Sequence, residues 1–99
     1  MTVENMKSER TGKAVANQFV ITDNEHNAIW FQSYASMIAR IDNNSGVLFL
    51  DENKWDYSHT TAKYRNAFIR DYFDANYANK AGIKAGIKAG KIILMQLNH

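Results

Sequence analysis

Asp51, Glu52, Asp56 and His59 are the residues whose types and spacing could carry chemistry. Three carboxylates in so short a run could hold a hard cation or work as acid and base. The run lacks the glycine and the alternating oxygen ligands of a calcium loop. Acidic residues ahead of a helix are also expected from the helix dipole alone, and that is the stronger reading. His59 beside Asp56, Thr60 and Thr61 supplies pieces of a catalytic triad, but such sites are defined by geometry. With His26 and His99 it shows no paired spacing for zinc. Cysteine is absent, which removes disulfides, thiolate nucleophiles and cysteine–zinc centres. No glycine-rich loop follows a strand in the dinucleotide or phosphate-loop pattern. The expectation is a protein that is not an enzyme and carries no metal and no cofactor. A small metal-dependent nuclease or hydrolase using Asp51, Glu52, Asp56 and His59 ranks last.

Cations are the better functional candidates. The net charge is only +2, but residues 51–99 hold eight Lys/Arg against five Asp/Glu, and after Asp74 there are four lysines and no acid. A basic C-terminal quarter suits an acidic partner, either nucleic acid or an acidic protein face. The alternative is an ordinary solvated lysine face. Trp55, Tyr57, Tyr64, Phe68, Tyr72, Phe73 and Tyr77 could stack bases beside Lys63, Arg65 and Arg70, as in single-strand binders. Aromatics at helical spacing are more often core, and core is the favoured reading here.

The elements that position these residues follow from pattern. Ninety-nine residues fit one domain with one core. Residues 1–15 show no sustained hydrophobic period and are expected to form a flexible arm, with residues 16–99 as the single domain. Gln18–Thr22 and Ala28–Tyr34 read as a strand hairpin. Residues 38–50 read as a second one around Asn43-Asn44-Ser45-Gly46, with Met37, Ala39 and Ile41 pointing inward. Ser58 is a candidate N-cap, with Thr60 and Thr61 as competitors, for a helix whose Tyr57, Thr61, Tyr64, Phe68 and Tyr72 share one face. Lys80-Ala81-Gly82-Ile83 then repeats as Lys84-Ala85-Gly86-Ile87 and Lys88-Ala89-Gly90-Lys91. A four-residue period on a helix aligns Lys80, Lys84 and Lys88 in a basic ridge. Its interior glycines each cost about 1 kcal/mol, so the helix needs close packing within the domain or across a dimer. Gly90 is the expected C-cap, and residues 92–97 form a last strand expected inside the sheet. The fold class is α+β, in the order β-β-β-β-α-α-β. A mostly antiparallel sheet of four to five strands carries two helices on one face.

One further signal is a resemblance. Ser33-Tyr34, Ile38-Ala39, Leu50-Asp51-Glu52-Asn53 and Trp55-Asp56-Tyr57-Ser58-x-Thr60-Thr61-x-Lys63-Tyr64-Arg65-Asn66-x-Phe68 together resemble a box in small uncharacterised proteins of phages and mobile elements. The likeness covers roughly residues 28–97 and departs at Ile69, where leucine is usual, and at the Lys-Ala-Gly repeat. It implies no catalytic residues. It implies a phage-type accessory protein that acts by binding, most simply as an anti-CRISPR-like inhibitor of a host defence or nucleic-acid-handling complex. The expected partner is a host protein or protein–nucleic-acid complex, met through Lys63, Arg65, Arg70, Lys80, Lys84 and Lys88. Direct nucleic-acid binding through the same surface is the alternative. A homodimer would support so small a core. No run approaches the ~18 apolar residues of a membrane span, and the polar N-terminus lacks a signal-peptide core, so a cytoplasmic site in the bacterial host is expected.

Overall fold

Turn-forming residues cut the first half of the chain into five strands. The computed structural model describes residues 1–98. In it β1 (Thr2–Lys7), β2 (Ala14–Asp23), β3 (Ala28–Ser33), β4 (Ser36–Asp42) and β5 (Val47–Asp51) form an antiparallel meander. Then come α1 (His59–Tyr72), a 3-10 turn (Ala75–Tyr77), α2 (Lys80–Lys88) and β6 (Ile92–Met95). The helical segment is the long crossover that a parallel neighbour requires, and β6 pairs parallel to β5. The result is the α+β sheet-and-helices fold, with six strands in the order β1-β2-β3-β4-β5-β6. Among the described residues no helix is long and apolar enough to cross a membrane.

Sequence expectations are corrected at both edges of the sheet. Residues 1–15 are not an unpaired arm: Thr2 to Asn5 pair in register with Thr22 to Phe19, and β2 already begins at Ala14. The strand is hard to see because its outer edge and most of its side chains meet water, and only Met6 is buried. The second correction concerns β6, which is not inside the sheet but forms its far edge.

Alternation puts Val20, Phe31, Ala39 and Leu50 in one cross-strand row facing the helices. Phe68 of α1 stacks on Phe31 with ring centroids 5.7 Å apart, while Ile69, Ile83 and Ile92 complete the core. A register shift between Phe31 and Gln32 leaves Ile38 as the extra residue of β4. That bulge buries Ile38 and Ala39 together and leaves Met37 only half-buried, where plain alternation places Met37 inward. Ser58 caps α1 by accepting the Thr61 amide at 3.1 Å, and the Thr61 hydroxyl reaches Ser33 at 2.9 Å.

The glycines of the repeat serve contact within the domain. A Cβ on Gly82 would sit 2.5 Å from the Asn76 carbonyl oxygen, and one on Gly86 2.5 Å from Ile92 Cδ1. Gly90, with φ +75°, follows the C-cap residue Ala89 in the left-handed conformation that ends helices.

The sheet's other face carries no helix. Register places Val3, Ile21, Trp30, Arg40, Phe49 and Ile93 in one row across all six strands. Arg40 lies between Trp30 and Phe49, its guanidinium carbon 5.5 Å and 5.4 Å from the two ring centroids. This cation–π stack keeps a charge on an apolar surface without an ion pair.

Candidate functional site

The six cations expected to form one contact patch do not form it. Arg65 is 1% exposed. It points inward because it follows Thr61 by four residues and precedes Phe68 by three, on the buried stripe of α1. Its Nη1 donates to the Trp55 carbonyl at 2.7 Å and to Asp56 at 3.1 Å, and its Nη2 donates to Asn66 at 2.8 Å. The guanidinium also lies 5.4 Å from the Trp55 ring centroid. Arg65 is therefore the anchor of the segment from Trp55 to Ser58, not a partner contact. The same helical spacing that marks the aromatic stripe marks Arg65 in the sequence.

Lys80 is tied to the same knot through Asp56 Oδ2 at 2.7 Å. Asp56 is held below the ordinary carboxylate value, chiefly by the Lys80 ammonium and, after an opposing upward push from burial, by Arg65. His59 and Asp56 do line a shallow depression with Lys80, but both Asp56 oxygens are occupied by cations. Asp51 is equally committed: it accepts the amides of Asn53 at 3.2 Å, Lys54 at 3.0 Å and Leu97 at 2.8 Å. Of the carboxylates that read as a reactive cluster, Asp51 and Asp56 thus stitch the turn after β5 to α1 and to the chain after β6, while Glu52 is exposed. Among the described residues no group of three or more His, Asp or Glu is placed to hold a metal ion, and His99 lies outside those residues.

Lys84 and Lys88 are exposed on α2 and make no ion pair among the described residues. Only Lys63 and Arg70 meet in a concave site. They line a cleft of about 900 Å³ between α1 and the β1 edge, with Lys7 and Arg10 from β1 and the turn after it. Tyr64, Tyr72 and Ala67 form the helical wall, and Met6 and Val20 lie on the sheet side. Arg70 is bound to Asp71 at 2.8 Å and to Glu9, and those carboxylates hold its pKa above the ordinary arginine value. Its contact with Glu9 ties the β1–β2 turn to α1. Lys7, Arg10 and Lys63 have no carboxylate within ion-pair distance among the described residues. Lys63 instead lies over the Tyr64 ring, 5.4 Å from its centroid.

The volume is within the roughly 300–1,000 Å³ of ligand sites, yet such sites are mostly apolar. Here Glu4, Lys7, Glu9, Arg10, Lys63, Arg70 and Asp71 make the lining largely charged. Such a wall suits a charged polymer segment better than a small apolar molecule. The contribution of Lys7 and Arg10 escaped sequence reasoning because it depends on β1 being part of the sheet.

The sequence model of a family of unknown function (DUF8033) matches residues 1–85, a span that contains every residue of the cleft. No curated protein and no solved structure matches the chain.

Proposed function

We propose a binding function, not a catalytic one, for this chain, which belongs to the DUF8033 family: the cleft between β1 and α1 receives an acidic segment of a macromolecular partner. The observation that carries this reading is the convergence of Lys7 and Arg10, from β1 and the turn after it, with Lys63 of α1 on one concave site, without carboxylate partners of their own among the described residues. Cations so placed attract an acidic partner from a distance and fix its register on contact. Tyr64 and Tyr72 add flat amphipathic surface of the kind enriched at interfaces. The resemblance to small proteins of phages and mobile elements supports a partner in the bacterial cytoplasm, either a host protein or a protein–nucleic-acid complex. The outcome of binding is then inhibition of a defence or nucleic-acid-handling complex, in the manner of an anti-CRISPR protein.

The test is capture from bacterial lysate with the wild-type chain and with the charge-reversed pair Lys7→Glu and Lys63→Glu. A partner retained by the wild type and lost by the variant is the expected result. Equal retention by both, or no partner at all, would remove the cleft from consideration. Direct nucleic-acid binding is the second reading, favoured by the exposed, unpaired Lys84 and Lys88. It requires affinity for bare oligonucleotides that falls steeply with added salt, and absence of binding at low salt rejects it.

A further inference from the structure

The two edges of the sheet are built differently. β1 is a protected edge: its sequence Thr2 to Lys7 is mostly polar, and a register shift between Asn5 and Lys7 breaks its regularity. β6 has neither device. Ile93, Leu94 and Met95 are 43%, 37% and 38% exposed, a run of three large apolar side chains at an unpaired edge. No charged residue occurs from Ile92 to Leu97. A regular, uncharged, apolar edge is a template for another strand.

The backbone says which strand. Leu48 N donates to the Lys91 carbonyl and Glu52 N to the Met95 carbonyl, so Lys91, Ile93 and Met95 turn their polar groups toward β5. By alternation Ile92 and Leu94 turn theirs to the open edge, and Leu97 N, which donates to Asp51, keeps the same parity for Gln96 just past the strand. We infer that β6 pairs antiparallel with β6 of a second copy of this chain, about a two-fold axis at Leu94 perpendicular to the sheet. This register is one that parity allows. It sets Leu94 opposite Leu94 of the other copy and Ile92 opposite its Gln96, and both kinds of pair can exchange backbone hydrogen bonds. Between them, Ile93 of each copy packs against Met95 of the other on the helix-free face. All three exposed apolar side chains gain a partner, and Lys91 faces an uncharged position, so the strand register sets no like charges opposite each other. The two sheets join into one, with the Val3-to-Ile93 row of each copy ending on Met95 of the other. Against the roughly 1,200–2,000 Å² of a stable interface, one short strand pair is small, so the dimer forms in a concentration-dependent way.

This inference is independent of the cleft, which lies at the opposite edge. Sedimentation or light scattering of the wild-type chain from roughly 1 μM to roughly 1 mM, the range in which small interfaces assemble, should show the 11.3 kDa chain converting to twice that mass. Leu94→Lys, which sets two ammonium groups against each other on the axis, should raise the dissociation constant at least tenfold while circular dichroism stays that of the folded chain. Leu94→Cys in this cysteine-free sequence should oxidise to a dimer, because paired Cα atoms about 5.5 Å apart lie within disulfide reach. Val3→Cys on the other edge should not. A wild type that stays monomeric throughout, a dimer unaffected by Leu94→Lys, or equal cross-linking at Val3 and Leu94 would each overturn the inference.

Discussion

At the scale of single residues, the decisive side chain is Arg65. A buried guanidinium is tolerable only when its hydrogen bonds are met and its charge is countered. Here the Trp55 carbonyl, Asn66 and Asp56 take the donors, and the Trp55 ring covers a face. Removing the partner of a buried pair costs about 3–5 kcal/mol, and the lower end applies here, since Asp56 is 27% exposed and keeps Lys80 while the Trp55 carbonyl loses its donor. Arg65→Ala should lower stability by that order, measured by urea unfolding. Arg65→Lys keeps the charge but loses the planar fork that serves a carbonyl and a carboxylate with one nitrogen, so it should still cost about 1–3 kcal/mol. A lysine variant as stable as the wild type would mean that charge alone, without the fork, holds this corner. Either variant should leave partner capture unchanged at temperatures where it remains folded, since Arg65 does not line the cleft.

At the scale of elements, α2 shows what the Lys-Ala-Gly repeat is for. On propensity alone, Gly82→Ala should stabilise a helix by about 1 kcal/mol. The backbone of the 3-10 turn stands in the way, however: the Asn76 oxygen would be 2.5 Å and Tyr77 Cα 2.8 Å from the new methyl. Backbone cannot rotate aside as a side chain can, and overpacking typically costs about 1–3 kcal/mol. Gly82→Ala should therefore lower the thermal midpoint instead of raising it, and a raised midpoint would show that the turn and α2 can part without loss. That the repeat requires close helix packing was legible in the sequence, since interior glycines need a compensating contact. So were β2 to β5 and the Ser58 cap, whose alternation and hydroxyl are local signals. What was not legible depends on neighbours. Thr2–Lys7 looks like a tail until β2 gives it hydrogen bonds. Ile92–Met95 looks interior because all four residues are apolar, yet only Ile92 is buried among the core residues beneath α2. Patterns within one segment fix its period; which surfaces neighbours leave open does not appear in that period.

At the scale of the whole molecule, carboxylates fasten the fold at points far apart in the chain, and this sets its response to acid. Asp23 is held below 3.8 by His26, and Asp42 by the Asn44 amide and the Ser45 hydroxyl. Asp56 is held down by Lys80 and Arg65. At Asp51 burial pushes upward, but the Leu97 amide, the Asn98 side chain and the amides of Asn53 and Lys54 together outweigh it and leave the group below 3.8 as well. Each folded value is thus lower than the unfolded one, so the unfolded chain binds more protons in the acid range. The stability these groups contribute is present above about 3.8 and is lost as pH falls through the lower folded values. The urea midpoint should therefore stay level from pH 7 to about 5 and drop steeply below about 4. Asp51→Asn should flatten part of that drop while lowering the plateau by about 1–3 kcal/mol, because an amide nitrogen then faces backbone donors that a carboxylate accepted. Should the variant keep the full acid slope, Asp51 would not be among the groups that tie β5, the turn after it and the chain beyond β6 into one cooperative unit.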